Sequence, residues 1–245
     1  RSSDLIDRYK GLLPFKIWKN NRDKYLSSGD VVFCECELFK KYVHCGNVLY
    51  WAIDRECLPM NPYLSENELQ FCYLGSINNI IDIPRITAFL RECSTHKKCT
   101  LHIIGDGENK EYFIQEVLCV GVNVVDHKEV YDFQRKQEVF DQCNYGFNVM
   151  KPSVVVGLTM KSLDYMCAGL PIINTIKGDT KDFCEEWDIG FNLKKSNIKE
   201  VAERVCSESM DVQLQRRRNI QNLYNTYFTT KKFNATLDEA LNRIF

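Results

Sequence analysis

An α/β domain on a doubly wound parallel sheet is predicted by three features of the chain. From residue 71 onward, apolar runs alternate with amphipathic stretches in units of about thirty residues. The apolar runs are continuous, not alternating, as strands covered by helices on both faces must be. Several of them stop at a turn-forming residue, as at Gly75, Gly105 and Asp126.

The elements follow in order. Residues 4–26 place Leu5, Ile6, Tyr9, Leu12, Phe15, Ile17 and Trp18 at helical spacing, with Pro14 expected to interrupt the helix. Ser27-Ser28-Gly29-Asp30 is a turn. Val31–Cys34 is a short strand, Glu37–Tyr42 a helix and Val48–Trp51 a strand. Pro59-Met60-Asn61-Pro62 and the polar run Ser65–Glu68 mark a boundary between two parts. Beyond it, strands are expected at Phe71–Leu74, Thr100–Ile104, Val122–Val125, Tyr145–Val149, Pro171–Asn174 and Ile189–Leu193. Helices are expected at Asp82–Cys93, Asn109–Leu118, Phe133–Phe140, Met160–Cys167 and Asp179–Glu186, and the tail from Asn197 is helical. The chain opens with Arg1 inside a helical pattern, so it is expected to be cut from something longer.

Composition narrows the function. An apolar fraction of 44% supports a core without staples. A net charge of −1 argues against a protein that lives on nucleic-acid phosphates. The 12 cysteines are scattered, many within apolar runs, and no Cys-x-x-Cys pair occurs. They read as buried reduced thiols of a cytoplasmic protein. His44, His96, His102 and His127 show no metal-ligand spacing. No apolar run is long enough to span a membrane, and no signal peptide is visible.

Ligands of open parallel sheets bind beyond the carboxyl ends of the strands. Two loops there carry chemistry. Gly75-Ser76-Ile77-Asn78-Asn79 puts a glycine directly after a strand, where backbone can approach an anion, and Ser76 beside it as a donor; an ordinary turn would read the same. Gly105-Asp106-Gly107 is weaker turn chemistry. The stronger segment is Gly157-Leu158-Thr159-Met160-Lys161-Ser162-Leu163-Asp164-Tyr165. It enters a helix whose free N–H groups and positive dipole end favour a phosphate. Lys161 adds a full charge at that end, and Asp164 lies one turn deeper, where a carboxylate can accept ribose hydroxyls. A plain amphipathic helix with a surface Lys and Asp is the alternative.

Residues 157–173, with Asp164-Tyr165-Met166-Cys167-Ala168-Gly169-Leu170-Pro171-Ile172, resemble the donor-site motif of family 4 glycosyltransferases of the GT-B fold. Tyr73-Leu74-Gly75-Ser76 and Leu101–Gly107 resemble the family's first donor-domain loop and second strand, in the right order. The resemblance implies a Rossmann-like C-terminal donor domain at 66–230. Residues 1–65 would be the remnant of an acceptor-side domain, and 231–245 a helix crossing back to it. It implies hexosyl transfer from a nucleotide-diphosphate sugar to a glycan or lipid-linked acceptor in polysaccharide biosynthesis. Lys161 would be the catalytic cation, with Gly75, Ser76, Gly157, Thr159, Met160, Ser162 and Asp164 binding the donor. No cofactor or metal is expected, since no Asp-x-Asp pair occurs. The base is expected near Asp126–Val130. The setting implied is cytoplasmic, with peripheral membrane contact through a preceding domain at the inner face.

The departures from the family pattern are specific. A first glutamate, expected seven residues before the second acidic position, falls on Val156, and Ser76 stands where an arginine is frequent. Lys151 could substitute for a lost donor contact. A non-catalytic partner of the same fold, or a sugar-nucleotide epimerase, are the alternative functions.

Overall fold

The computed structural model describes residues 11–26, 28–29, 31–43 and 46–243. The expected helical positions Leu5, Ile6 and Tyr9 lie outside them. Helix α1 (Leu13–Leu26) takes Pro14 in its first turn, where a missing N–H costs nothing, so the proline starts this helix instead of interrupting it. β1 (Phe33–Cys34) and β2 (Asn47–Val48) form a two-stranded parallel sheet around α2 (Glu37–Val43).

The main sheet has six parallel strands in the order β5-β4-β3-β6-β7-β8. They are β3 (Glu68–Leu74), β4 (Lys98–Ile104), β5 (Asn123–Asp126), β6 (Tyr145–Asn148), β7 (Ile172–Asn174) and β8 (Gly190–Asn192). The interleaved helices are α3 (Ile83–Ser94), α4 (Lys110–Cys119), α5 (Phe133–Gln142), α6 (Met160–Ala168) and α7 (Asp179–Glu186). The tail is three helices, α8 (Ile198–Ser207), α9 (Met210–Tyr227) and α10 (Thr230–Leu241). Ser209 and Thr229 break it, each accepting a backbone N–H of the helix it starts.

Alternate residues of β3 feed two cores. Phe71 and Tyr73 pack with Phe89, Phe113 and Phe147 on one face; Cys72 and Leu74 pack with Leu163, Tyr165 and Tyr224 on the other. Arg217 of α9 is buried in the second core, and its guanidinium donates to the carbonyls of Phe140, Cys143 and Gly169. It thereby adds donors to carbonyls at the ends of α5 and α6, where the helical ladder runs out.

The N-terminal part is fastened to the sheet by Asp179, the first residue of α7. Its buried carboxylate accepts the N–H groups of Glu37 and Leu38, at 2.8 and 3.0 Å, and the Tyr50 hydroxyl at 2.7 Å. Those N–H groups begin α2 and would otherwise lack partners. The chain's tail returns to this part at residues 53–55: Ile53 bridges Thr229, and Tyr224 donates to the carbonyls of Ile53 and Arg55.

Ten cysteines are free among the described residues, and eight of these are buried. Cys34 departs from the expectation of thiols throughout, being disulfide-bonded. No described helix is long and apolar enough to cross a membrane.

Candidate active site

The chain enters the sheet at β3, winds outward through β4 and β5, then returns to β6 and winds the other way. The loops after β3 and β6 therefore diverge, leaving a crevice at the carboxyl edge. A cleft of about 730 Å³ occupies it, the size of a small-molecule site.

One wall is the junction of the β3 and β4 loops. Gly75 N–H donates to the Ile104 carbonyl at 2.8 Å, and Ile77 N–H to the Asp106 carbonyl at 2.9 Å. Gly105 has φ +144°, and a Cβ there would collide with the Gly75 backbone, so the two loops meet without side chains. The opposite wall is the start of α6. Thr159 caps it, accepting the Ser162 N–H, and its hydroxyl donates to Asn148 Oδ1 at 3.1 Å. Asn148 in turn bonds Asn174, which bonds Asn192, a ladder along the ends of β6, β7 and β8. The ring of Tyr165 lies against Gly146, where a Cβ would strike it, and its hydroxyl accepts the Leu74 N–H at 2.8 Å. This sets α6 against the end of β3.

Lys161 consequently faces Gly75 across the crevice. Its ammonium lies 4.2 Å from the Tyr73 ring centroid and 3.2 Å from the Tyr73 hydroxyl. That hydroxyl donates to the Ser76 carbonyl. Burial pushes the Lys161 ammonium down to about 7, outweighing nearby Cys72, which acts in the opposite direction. The residue keeps some open surface on the cleft. A poised cation beside free helix N–H groups is suited to a phosphate.

Asp164 also lines the cleft, one turn deeper. It is neither free nor exposed, unlike the surface carboxylate of a plain amphipathic helix. Its Oδ1 accepts from Arg55 at 2.8 Å, and its Oδ2 lies 3.4 Å from the Lys136 ammonium. Lys161 likewise faces Tyr73, not open solvent. Of the other residues singled out, Gly75, Ser76, Thr159 and Met160 line the cleft. Gly157 and Ser162 do not. Gly157 is packed beneath Cys36, Leu38 and Asp179, and the fully buried Ser162 hydroxyl is bonded to Asn148 and Thr159. Both build the loop that presents Lys161. Lys151 is exposed and lies off the cleft wall.

Beyond β5, Glu129, Val130 and Tyr131 border the same cleft. Asp126 is committed below them to Lys110 and Lys128. Burial would raise its carboxyl, but those two cations outweigh this and hold it near about 2. Among the described residues, no cluster of three His, Cys, Asp or Glu side chains could hold a metal ion.

The sequence matches the family described as Glycosyl transferases group 1 over residues 69–209, from β3 to the start of α9. The chain belongs to the group 1 glycosyl transferases. Its architecture matches part of the GT-B glycosyltransferase fold, and solved structures agree. HepE of Anabaena in complex with UDP superposes with a TM-score of 0.71 at 14% identity, covering 95% of this chain and 70% of HepE. The lipopolysaccharide outer core galactosyltransferase WaaB gives 0.67 at 15%, covering 89% of this chain and 63% of WaaB. TarM of S. aureus gives 0.66 at 13%, covering 94% of this chain but 46% of TarM. The group 1 transferase chain thus spans about half to seven tenths of these proteins. No curated protein sequence matches it significantly.

Sequence reasoning missed Tyr73, Arg55 and Lys136. Tyr73 reads as one more apolar strand residue. Arg55 stands 109 residues from its partner Asp164, and no local spacing joins them.

Proposed function

We propose that this group 1 transferase chain binds a nucleotide-diphosphate sugar at the carboxyl edge of its sheet and supports transfer of the sugar to a glycan or lipid-linked acceptor. The observation that carries the reading is Lys161 at the head of α6, facing the bare backbone of Gly75 across the crevice. As the bond from the anomeric carbon to the diphosphate breaks, negative charge grows on the leaving oxygen. Lys161 and the N–H groups of Met160 and Lys161 offset that charge with groups already in place. Asp164 receives the ribose hydroxyls, and Glu129–Tyr131 border the base. The residues named supply this charge stabilisation themselves, so the reading invokes no cofactor. The resemblance to HepE, solved with UDP and with UDP-glucose, makes a uridine diphosphate sugar the first donor to test. The resemblance to WaaB, a lipopolysaccharide outer core galactosyltransferase, supports a saccharide acceptor and the hexosyl class of transfer.

Calorimetry with uridine diphosphate tests the site. Lys161→Ala is expected to weaken binding by about tenfold or more, in the range for losing a hydrogen bond to a charge. Asp164→Ala should cost about 1–3 kcal/mol. Equal affinities in parent and both variants would refute the assignment. A non-catalytic partner of the same fold is the second reading, favoured by Val156 at the position of the first family glutamate. It predicts donor binding without donor turnover when acceptor is supplied.

A further inference from the structure

Two cations on Asp164 pose a problem for a carboxylate meant to hold a ribose, because they either block it or aim it. The geometry decides. Asp164 and Lys136 line the cleft, whereas Arg55 does not. Arg55 reaches the carboxylate from the segment that precedes the sheet and is not part of the cleft wall. It is held there in three ways. Its guanidinium carbon lies 4.0 Å from the centroid of the Phe133 ring, its backbone carbonyl accepts the Tyr224 hydroxyl at 2.9 Å, and its N–H donates to Ile53 at 2.7 Å. An arginine so fixed is not a latch that swings out when ligand arrives. Nor does it exhaust the carboxylate. Each carboxylate oxygen accepts two hydrogen bonds, and Arg55 takes one site on Oδ1 while Lys136, at 3.4 Å, takes one loosely on Oδ2. A site on each oxygen remains for a vicinal diol.

We propose that Arg55 is a positioning residue for ribose recognition: it fixes the Asp164 carboxylate with one acceptor site of each oxygen turned to the cleft. Discrimination between a ribose and a deoxyribose nucleotide is therefore set from the N-terminal part of the chain. The physical reason is preorganisation. An aspartate without a fixed partner samples several rotamers, and a diol must order it before gaining two bonds. With the ion pair in place that ordering precedes ligand arrival. The role rests on the reading of the cleft as a nucleotide-sugar site, and it concerns the ribose alone, not the diphosphate at Lys161.

The test compares uridine diphosphate with its 2′,3′-dideoxy analogue by calorimetry on the whole chain. The parent is expected to prefer the ribonucleotide by about tenfold or more, as for hydrogen bonds to a charged acceptor. Arg55→Met should reduce that preference below about threefold by weakening the ribonucleotide only, leaving the dideoxy nucleotide and pyrophosphate as in the parent. Arg55→Lys, which keeps the charge and the stem on Phe133, should recover part of the preference. A merely structural arginine would weaken both nucleotides together. An unchanged preference in Arg55→Met overturns the proposal, as does tighter ribonucleotide binding, which would make Arg55 a competitor for Asp164. Equal binding of both nucleotides by the parent overturns it while leaving the diphosphate site standing, whereas no binding of either removes the donor-site reading itself. Should Arg55→Met not fold, Phe133→Leu removes the ring beneath the guanidinium and is expected to narrow the same preference.

Discussion

The depressed ammonium of Lys161 makes donor binding a proton-linked event. The perturbation is pH, between about 6 and 8. A nucleotide-sugar diphosphate keeps constant charge there, since no weakly acidic phosphate proton remains, so any pH dependence belongs to the protein. With Lys161 titrating at about 7 when free, it is about nine-tenths protonated at pH 6 and about one-tenth at pH 8. A diphosphate placed against it favours the charged form and returns it toward the ordinary lysine range. Donor affinity should therefore fall about tenfold from pH 6 to pH 8, with uptake of about half a proton on binding at pH 7. Stability of the unliganded chain has the opposite slope. The folded state releases this proton more readily than the unfolded one, so Lys161's penalty is complete below about 7 and is relieved as pH rises toward its ordinary value of 10.5. Calorimetry with UDP-glucose at both pH values, in two buffers of different ionisation enthalpy, measures affinity and proton count together. Lys161→Met should flatten both. Equal affinities at pH 6 and 8, with heats independent of buffer, would show that the ammonium does not meet the diphosphate.

Three further outcomes are expected. His102, bonded to Gln70 and stacked on His127, is pushed down to about 4 by burial and then by its neighbour's charge; the unfolded chain binds that proton more tightly, so melting temperature should fall as pH drops from 6.5 toward 4, and less so in His102→Gln. Gly105→Ala drives a Cβ into the Gly75 backbone at a positive φ, and urea unfolding should show a loss of about 3 kcal/mol, together with weaker nucleotide binding; a neutral result would mean that the loops separate freely. Asp179→Ala strands the Glu37 and Leu38 N–H groups and the Tyr50 hydroxyl; it should cost about 3 kcal/mol and speed proteolysis within residues 31–53, and an unchanged cleavage rate would argue against this fastening.

Most of the fold was legible because a parallel sheet writes itself locally. Every strand from β3 to β8 was foreseen within a few residues, since each is an apolar run ended by turn chemistry. The tail was less legible. Its polar caps, Ser209 and Thr229, look like ordinary surface residues in an otherwise helical pattern, so the tail reads as helical without the breaks that divide it into three helices. The site was legible where its parts are consecutive: glycine after a strand, cap, lysine and aspartate within one helix turn and a half. Ser162 and Gly157 show the limit. They sit in the same motif as Lys161, but whether a hydroxyl faces a cleft or a buried asparagine depends on Asn148, which belongs to another strand.

The sequence by itself determined the order of strands and helices, the Gly75 turn and the charged start of α6, because these depend on residues a few places apart. The tertiary structure decided how the chemistry is tuned. The charge state of Lys161 depends on burial beside Tyr73, and the aim of Asp164 depends on Arg55 and Lys136, drawn from three separate stretches of chain. Burial and ion pairing are sums over neighbours in space, and the neighbours that matter here are 28 to 109 residues away in sequence.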